Sequence, residues 1–236
     1  MGRENIFRFK QFAVLNDRTP MKVGTDGVLL GAWCPVEAAR QVLDVGTGCG
    51  VIALMIAQRA EFAHIDGIDI EHDAIVEASV NFSRSPWSKR LTAREVDFNS
   101  IVGQESYDLI VSNPPYFSDS LLPRDESRSM ARHGLTLSYS QLVEGASHML
   151  TPEGSLALIS PTSAEASIIE AATFASLPVR HMTRVIPVKG GAPKRTLWRL
   201  TRRTLPCIED TITIAHTDGS FTHEYTALTR PFYLKM

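Results

Sequence analysis

The residues best placed to do chemistry form the run Asn113-Pro114-Pro115-Tyr116. An apolar stretch, Leu109 to Val111, comes just before them and predicts a buried strand. The two prolines prevent both continued strand pairing and an immediate helix, so we expect a rigid loop at the carboxyl end of this strand. Open α/β sheets place their ligand sites at this edge.

Such a loop offers groups that suit a flat ring with an exocyclic amine. The carboxamide oxygen of Asn113 and the carbonyl of Pro114 could accept the two N–H bonds of that amine, which would localise and aim its lone pair. Tyr116 could stack on the ring, a contact worth roughly 1–3 kcal/mol per base for unpaired bases. The alternative interpretation is a proline-rich turn that only ends a strand.

A glycine-rich turn follows another predicted strand earlier in the chain. Asp44, Gly46, Gly48 and Gly50 make the pattern Asp-x-Gly-x-Gly-x-Gly, and the apolar residues 51–57 after it predict a buried helix. Glycines allow the backbone to approach a ligand, and the first N–H groups of the helix can face it. The spacing differs from that of the dinucleotide-binding Gly-x-Gly-x-x-Gly. An acid at the end of the strand suits a cationic or amine-bearing cofactor.

Acidic residues also end the next two predicted strands. Asp69 follows the glycines by about 20 residues, the usual position of an acceptor for ribose hydroxyls. Asp97 and Phe98 follow the third strand, where the carboxylate could take an adenine amine and the ring could pack on the base. Acids at strand ends are also common caps, but three successive strands that end in acids favour a binding site.

The composition is that of an ordinary globular chain. Its 236 residues, 44% hydrophobic and 21% charged, fit one α/β domain over 1–236, with 1–34 as an N-terminal arm and short helix. The arm could lie over the substrate side or simply cover the core. We find no membrane-spanning run, no signal-peptide core and no metal-ligand spacing among the three cysteines and seven histidines. We therefore expect a cytoplasmic protein without a metal, and we expect a monomer because no stripe of exposed apolar residues stands out as an interface.

Basic residues are concentrated late in the chain. The span 171–208 contains no acidic residue but eight lysines and arginines: Arg180, Arg184, Lys189, Lys194, Arg195, Arg199, Arg202 and Arg203. Two predicted antiparallel strands and the Gly190–Pro193 turn carry most of them. A basic sector on an otherwise acidic chain is typical of a polyanion-binding face, although it could be a solvated face of late strands.

Together these features resemble the class I S-adenosylmethionine-dependent methyltransferases, in the branch that methylates amines. The resemblance implies a Rossmann-like α/β fold with a seven-stranded, mostly parallel sheet, helices on both faces and a C-terminal antiparallel hairpin. It implies S-adenosyl-L-methionine as the cofactor. In that family Asp44 and Gly46 to Gly50 would face the methionine part, Asp69 the ribose, and Asp97 with Phe98 the adenine. Asn113 would be shared between the cofactor and the substrate.

Four further segments narrow the resemblance to the bacterial tRNA1(Val) adenine-N6 methyltransferase family: Phe7–Phe12, Lys22–Trp33, Asn81–Trp87 and Glu224–Met236. This resemblance covers nearly the whole chain. It implies methyl transfer to N6 of the adenosine 3′ of the anticodon in tRNA1(Val). The residues implied as catalytic are Asn113, Pro114, Pro115 and Tyr116, and those implied as RNA contacts are Lys189, Lys194, Arg195, Arg199 and Arg203. A role in RNA contact for the polar stretch Arg128 to His133 stays open.

Three other functions share part of the pattern. A protein-glutamine N5 methyltransferase acting on release factors uses the same Asn-Pro-Pro-Tyr, but it usually carries an N-terminal helical domain for which the segment before Lys22 is too short. Another RNA or DNA adenine-N6 methyltransferase is the second alternative, and a DNA enzyme would need a larger target-reading region. A silent RNA-binding scaffold would keep the basic hairpin but would not need Asn113 or the acids.

Overall fold

A computed structural model describes residues 5–19, 22–103, 106–115 and 137–236. The strands within these ranges are β1 (Ile6–Arg8), β2 (Ala13–Leu15), β3 (Gln41–Val45), β4 (His64–Asp69), β5 (Leu91–Glu95), β6 (Tyr107–Ser112), β7 (Leu150–Pro161), β8 (Val179–Val188), β9 (Arg195–Thr201) and β10 (Ile208–Ala215). The helices are α1 (Thr25–Trp33), α2 (Val51–Arg59), α3 (His72–Ser83), α4 (Phe98–Ile101), α5 (Tyr139–Met149), α6 (Glu165–Phe174) and α7 (His223–Thr229). Tyr116 and the stretch Arg128 to His133 lie outside the described residues.

The main sheet has the strand order β10-β8-β9-β7-β6-β3-β4-β5. All neighbouring pairs are parallel except those of β9, which runs antiparallel to both β7 and β8. The mostly parallel sheet and the late antiparallel hairpin are therefore confirmed. The described sheet has eight strands where seven were expected, because β10 adds to its edge through a parallel pairing with β8.

Alternating side chains of the strands supply two cores, one on each face of the sheet. Val42, Leu109 and Ala157 belong to the core that α1, α2 and α3 cover, whereas their sequence neighbours Leu43 and Ile110 belong to the core covered by α4, α5 and α6. Because both faces are covered, the central strands are nearly continuous apolar runs. No helix of the described ranges is long and apolar enough to cross a bilayer.

The N-terminal arm packs on the first of these cores. Its strands β1 and β2 form a small antiparallel sheet. Phe9, Phe12 and Val14 are buried, and the rings of Phe9 and Phe12 stack with their centroids 4.6 Å apart. Of the two alternatives for the arm, this packing corresponds to a cover of the core, and Thr19 and Lys22 also reach the cavity described next.

Candidate active site

A cavity of about 680 Å³ opens at the carboxyl ends of β3, β4, β5 and β6. Its volume is within the range of small-molecule sites. Most of the residues that the sequence singled out line it together: Gly46, Gly48, Asp69, Asp97, Phe98, Asn113, Pro114 and Pro115. Asp44 and Gly50 are not among the lining residues, and Tyr116 lies outside the described part of the chain.

The glycine loop between β3 and α2 needs glycine for two separate reasons. Gly46, Gly48 and Gly50 have φ values of +71°, +54° and +81°, a region that L residues with a side chain rarely adopt. A Cβ at Gly46 or Gly48 would meet no protein atom within 4 Å, whereas at Gly50 it would meet the Phe82 ring at 2.4 Å. The first two glycines therefore leave room for a ligand, and Gly50 allows the loop to pack on α3.

Asp44 lies beneath this loop and supports it. Its carboxylate accepts hydrogen bonds from the Thr47 hydroxyl at 2.7 Å and the Ala53 N–H at 3.3 Å, so it ties the loop to the first turn of α2. The side chain is fully buried, and its Oδ1 atom has no hydrogen-bond partner among the described residues. Burial raises the pKa of Asp44 to about 7, against the lowering effect of these two hydrogen bonds.

Asp69 stands at the end of β4 and faces the cavity. Its carboxylate accepts the N–H of Gly48 at 3.0 Å and the N–H of Glu71 at 3.1 Å, each on a different oxygen. A carboxylate has about four acceptor positions, so both oxygens can accept further hydrogen bonds. Asp69 therefore fixes the glycine loop and still offers acceptors to a ligand with hydroxyl groups.

Asp97 and Phe98 follow β5, as predicted. Asp97 caps α4 by accepting the N–H of Asn99 at 2.9 Å, and it also lines the cavity. Asp97 can therefore cap the helix and contact a ligand at the same time. Phe98 is buried against Gly145 of α5, where a Cβ would come within 2.5 Å of the ring. The ring is held in place and forms an apolar part of the cavity wall.

The Asn-Pro-Pro loop begins where β6 ends. The Ser112 hydroxyl donates to the Val45 carbonyl at 2.8 Å, which ties the ends of β6 and β3 together. Asn113 is partly buried, Pro114 is buried and Pro115 is exposed, and all three line the cavity. The amide side chain is therefore presented next to the glycine loop by two strands with linked ends.

The cavity is acidic, a feature that fits a cationic cofactor. Its described lining contains four carboxylates, of Asp26, Asp69, Glu71 and Asp97, and a single basic side chain, that of Lys22. The open space at Gly46 and Gly48 and the hydroxyl acceptors of Asp69 also fit S-adenosylmethionine, which carries a ribose and a positive sulfonium. No group of three potential metal ligands is present among the described residues.

Residues at the end of the arm and in the first turn of α1 were missed as part of the site. Thr19, Lys22, Thr25 and Asp26 line the cavity. Asp26 forms a salt bridge with Arg195, whose Nε atom is 2.8 Å from a carboxylate oxygen. The glycine-containing segment Lys22 to Gly27 was a usable signal, because glycines allow the backbone to approach a ligand.

The five predicted RNA contacts are spread along β9 and do not lie together. β9 runs antiparallel, and Arg195 lies opposite Pro161 at the cavity edge of the sheet, while Thr201 lies opposite Ser155 near the other edge. Arg203 is therefore at the far edge, where it pairs with Glu153. Arg199 is partly buried in mid-strand, and burial, followed by the nearby Arg180 charge, lowers its pKa. Lys189 and Lys194 are exposed at the cavity edge, on the connection between β8 and β9.

Solved structures of methyltransferases share this fold. A predicted O-methyltransferase from Agrobacterium tumefaciens aligns with a TM-score of 0.66 at 20% identity, over 88% of this chain and 96% of the other. A putative RNA methyltransferase from Pyrococcus horikoshii aligns with a TM-score of 0.54 at 14% identity, over 75% of this chain and 82% of the other. At these identities the likeness concerns the fold.

The fold and the residues of the cavity define a class I methyltransferase that uses S-adenosylmethionine. The family model described as the methyltransferase small domain matches residues 23–183. Proteins named tRNA1(Val) (adenine(37)-N6)-methyltransferase from Phocaeicola vulgatus and Aeromonas hydrophila are both 43% identical to this chain, over 98% and 100% of both sequences respectively. The chain belongs to the tRNA1(Val) (adenine(37)-N6)-methyltransferase family, within the methyltransferases of the small-domain type.

Proposed function

We propose that this enzyme methylates N6 of adenine 37, the base 3′ of the anticodon, in tRNA1(Val). The observation that carries the proposal is the 43% identity, over the full length of both chains, to the Aeromonas hydrophila relative with that activity in its name. The proposal includes a cytoplasmic location and a monomer that works without a metal. The position of Asn113 and Pro114 at the cavity supports the amine as the methyl acceptor.

The cavity residues divide the work of holding the cofactor. When bound, S-adenosylmethionine supplies a methyl group on a positively charged sulfur, which makes the methyl carbon electrophilic. Asp69 would accept the ribose hydroxyls, and Asp97 with Phe98 would hold the adenine. Gly46 and Gly48 would let the backbone come close to the methionine part, while Asp44 supports the loop from below.

Asn113 and Pro114 activate the acceptor by position and polarity. An exocyclic amine on a ring is a poor nucleophile because its lone pair is delocalised. When the Asn113 carboxamide oxygen and the Pro114 carbonyl accept its two N–H bonds, the lone pair is localised and aimed. No general base is needed before transfer, since the methylated amine is cationic and loses its proton readily. Tyr116, the next residue in the sequence after Pro115, is proposed to stack on the base.

The target adenine lies in a single-stranded loop, so the base can be extruded at low cost and no duplex-opening domain is needed. Lys189 and Lys194 are exposed beside the cavity edge and are the members of the basic sector best placed to meet tRNA phosphates. Arg195 is engaged with Asp26 and is proposed to shape the cavity entrance rather than to bind phosphate.

Methyl transfer from labelled S-adenosylmethionine tests the proposal. Unmodified tRNA transcripts and a release factor are offered side by side, and the products are identified by nucleoside mass analysis. We expect N6-methyladenosine in a valine tRNA. Label in the release factor instead would assign the enzyme to the glutamine-modifying branch.

Asn113→Ala tests the site in the same assay. We expect turnover to fall at least about 100-fold, the usual cost of removing one polarising contact in an active site. Calorimetric binding of S-adenosylhomocysteine to the same variant is the control, and it should change little because Asn113 acts mainly on the acceptor. Turnover that survives the substitution would contradict the role of Asn113.

A further inference from the structure

Helix α3 carries two buried polar side chains one turn apart, Glu77 and Asn81, and each is only 1% exposed. Buried polar groups of this kind are retained only when their hydrogen-bonding capacity is used. Both side chains form hydrogen bonds with residues 15–19 of the N-terminal arm. These partners precede Glu77 and Asn81 by about 60 residues in the sequence. Neither lines the cavity.

Glu77 binds three successive residues of the arm. One carboxylate oxygen accepts the N–H of Asp17 at 2.6 Å and that of Arg18 at 2.8 Å, and the other accepts the N–H of Thr19 at 3.2 Å and its hydroxyl at 2.7 Å. Burial alone would raise the pKa of Glu77, but these hydrogen bonds outweigh it and lower the pKa. The carboxylate is therefore charged at neutral pH and holds the backbone around it.

Asn81 links the arm to the glycine loop. Its Oδ1 accepts the N–H of Leu15 at 2.7 Å, and its Nδ2 donates to the Leu15 carbonyl at 2.9 Å and to the Cys49 carbonyl at 2.8 Å. Cys49 stands between Gly48 and Gly50, and it lines the cavity. One side chain thus fixes the arm and the ligand-facing loop relative to each other.

The fixed segment is itself part of the cavity wall. Thr19, which Glu77 holds by two hydrogen bonds, lines the cavity, and so does Lys22. The Lys22 ammonium donates to the carbonyls of Asn16, Asp17 and Thr19 at 2.9, 3.1 and 3.0 Å. The N–H groups of this segment are thus bound from α3 and its carbonyl groups from Lys22.

We infer that Glu77 and Asn81 are positioning residues for cofactor binding, which act by holding the arm and the Cys49 carbonyl as adjoining walls of the cavity. The inference rests on the cofactor-binding part of the proposed function. It does not depend on the identity of the methyl acceptor, because cofactor binding can be measured without tRNA.

Glu77→Gln is the first test, because it keeps the size of the side chain but turns one acceptor into a donor that faces the Thr19 N–H. We expect the Kd for S-adenosylmethionine, measured by calorimetry, and its KM to rise at least tenfold. We expect kcat at saturating cofactor to stay within threefold. Asn81→Asp keeps the hydrogen bond from the Leu15 N–H and loses both donated bonds. It should likewise raise the Kd and the KM for the cofactor and leave kcat nearly unchanged.

Glu165→Gln is the matched control. Glu165 accepts hydrogen bonds from Arg184 at 3.0 Å and from the Thr196 hydroxyl at 2.7 Å, and it does not line the cavity. This substitution should lower the Tm and leave the Kd for the cofactor unchanged. If Glu77→Gln behaves in the same way, its role is structural only and the inference is overturned. A wild-type enzyme that binds no S-adenosylmethionine would instead refute the proposed function.

Hydrogen exchange of the wild-type enzyme provides a second test that does not depend on folding of a variant. Addition of S-adenosylhomocysteine should slow exchange in 15–19 and in 46–50 more than in α6, which packs on the opposite face of the sheet from the arm and does not line the cavity. Equal slowing in all three segments would mean that the ligand stabilises the whole chain without engaging the arm, and it would overturn the inference.

Discussion

At the scale of single residues, Asp44 combines support of the glycine loop with an unusual ionisation. Its carboxylate receives only two hydrogen bonds in a fully buried place, and Oδ1 receives none among the described residues. Burial raises its pKa to about 7, so near neutral pH a proton can reside on Asp44 in the folded protein. In the unfolded chain the same group titrates near its ordinary value of 3.8.

Asp44→Asn should therefore change how stability depends on pH. Between the unfolded value of 3.8 and about 7 the folded state of the wild type holds a proton that the unfolded state has lost, so stability decreases as pH rises through this window. One such group contributes at most about 1.4 kcal/mol per pH unit. Urea unfolding at pH 5, 6 and 7 measures this dependence. The free energy of unfolding of the variant should decrease less with pH than that of the wild type, because only the Asp44 carboxyl has been removed. Parallel profiles would contradict the raised pKa.

Residues of the site differ in how far they can be predicted from sequence. Asp69, Asp97 and Asn113 were found because each follows a predicted strand, and the position after a strand can be recognised locally. Glu77 and Asn81 were not found, since polar residues on an amphipathic helix usually face solvent. The arm that buries them comes from far away in the chain, and local sequence pattern carries no information about that contact.

At the scale of elements, the glycine loop, α2 and α3 form one packed unit. Gly50 is the N-cap of α2 with φ of +81°, and the Phe82 ring of α3 occupies the space that a Cβ would need. The backbone conformation and the packing of Phe82 therefore both require glycine at position 50.

Gly50→Ala should cost more stability than a glycine replacement with the same backbone conformation and free space. Gly219 has φ of +86° and no atom within 4 Å of a built Cβ, so Gly219→Ala should cost only about 1–2 kcal/mol for the left-handed conformation. Gly50→Ala should cost about 1–3 kcal/mol more, because Phe82 must move out of a packed core. Urea unfolding measures both. Equal losses would mean that Phe82 adapts freely.

The elements themselves were largely predictable. The strand predicted at Leu109 to Val111 lies within β6, and the helix predicted at residues 51–57 lies within α2, because apolar runs and turn residues are local signals. β10 joins the edge of the sheet by pairing with β8, and it is the eighth strand. The local sequence pattern does not specify which strand it pairs with.

At the scale of the whole molecule, ion pairs determine which basic residues of the span 171–208 still carry uncompensated positive charge. Arg184 pairs with Glu165 and Glu209, and Arg203 pairs with Glu153. These acids lie outside the acid-free span of the sequence, but folding brings them next to its arginines. The exposed pair of Arg203 and Glu153 adds little stability, but all three pairs offset the positive charge that a phosphate would meet.

The lysines of the β8–β9 connection keep their charge available at the cavity edge. Lys189 and Lys194 are exposed, and no salt bridge to either is found within the described ranges. Arg203 lies beyond the opposite end of β9, and the six residue steps of this strand alone span about 20 Å at about 3.4 Å per residue. A tRNA anticodon loop with its base in the cavity therefore reaches the two lysines before it reaches Arg203.

Replacement of both lysines by alanine should weaken tRNA binding and reduce its dependence on salt. Each lost phosphate contact lowers the slope of log K against log salt by about 0.7–0.9, so the double variant should lose up to about twice that amount. Filter binding at several salt concentrations measures the slope, and the Kd for S-adenosylmethionine should stay unchanged because neither lysine lines the cavity.

Arg203→Ala is the matched control for that measurement, since it removes one positive charge from the same hairpin at the far edge of the sheet, where Glu153 already engages it. We expect it to leave both the tRNA affinity and the salt slope as in the wild type. If Arg203→Ala weakened binding as much as the lysine replacements, the tRNA would have to extend along the whole length of β9, and the basic sector would act as one continuous surface. A loss confined to Lys189 and Lys194 would restrict the electrostatic contact to the rim of the cavity, where the adenine must enter.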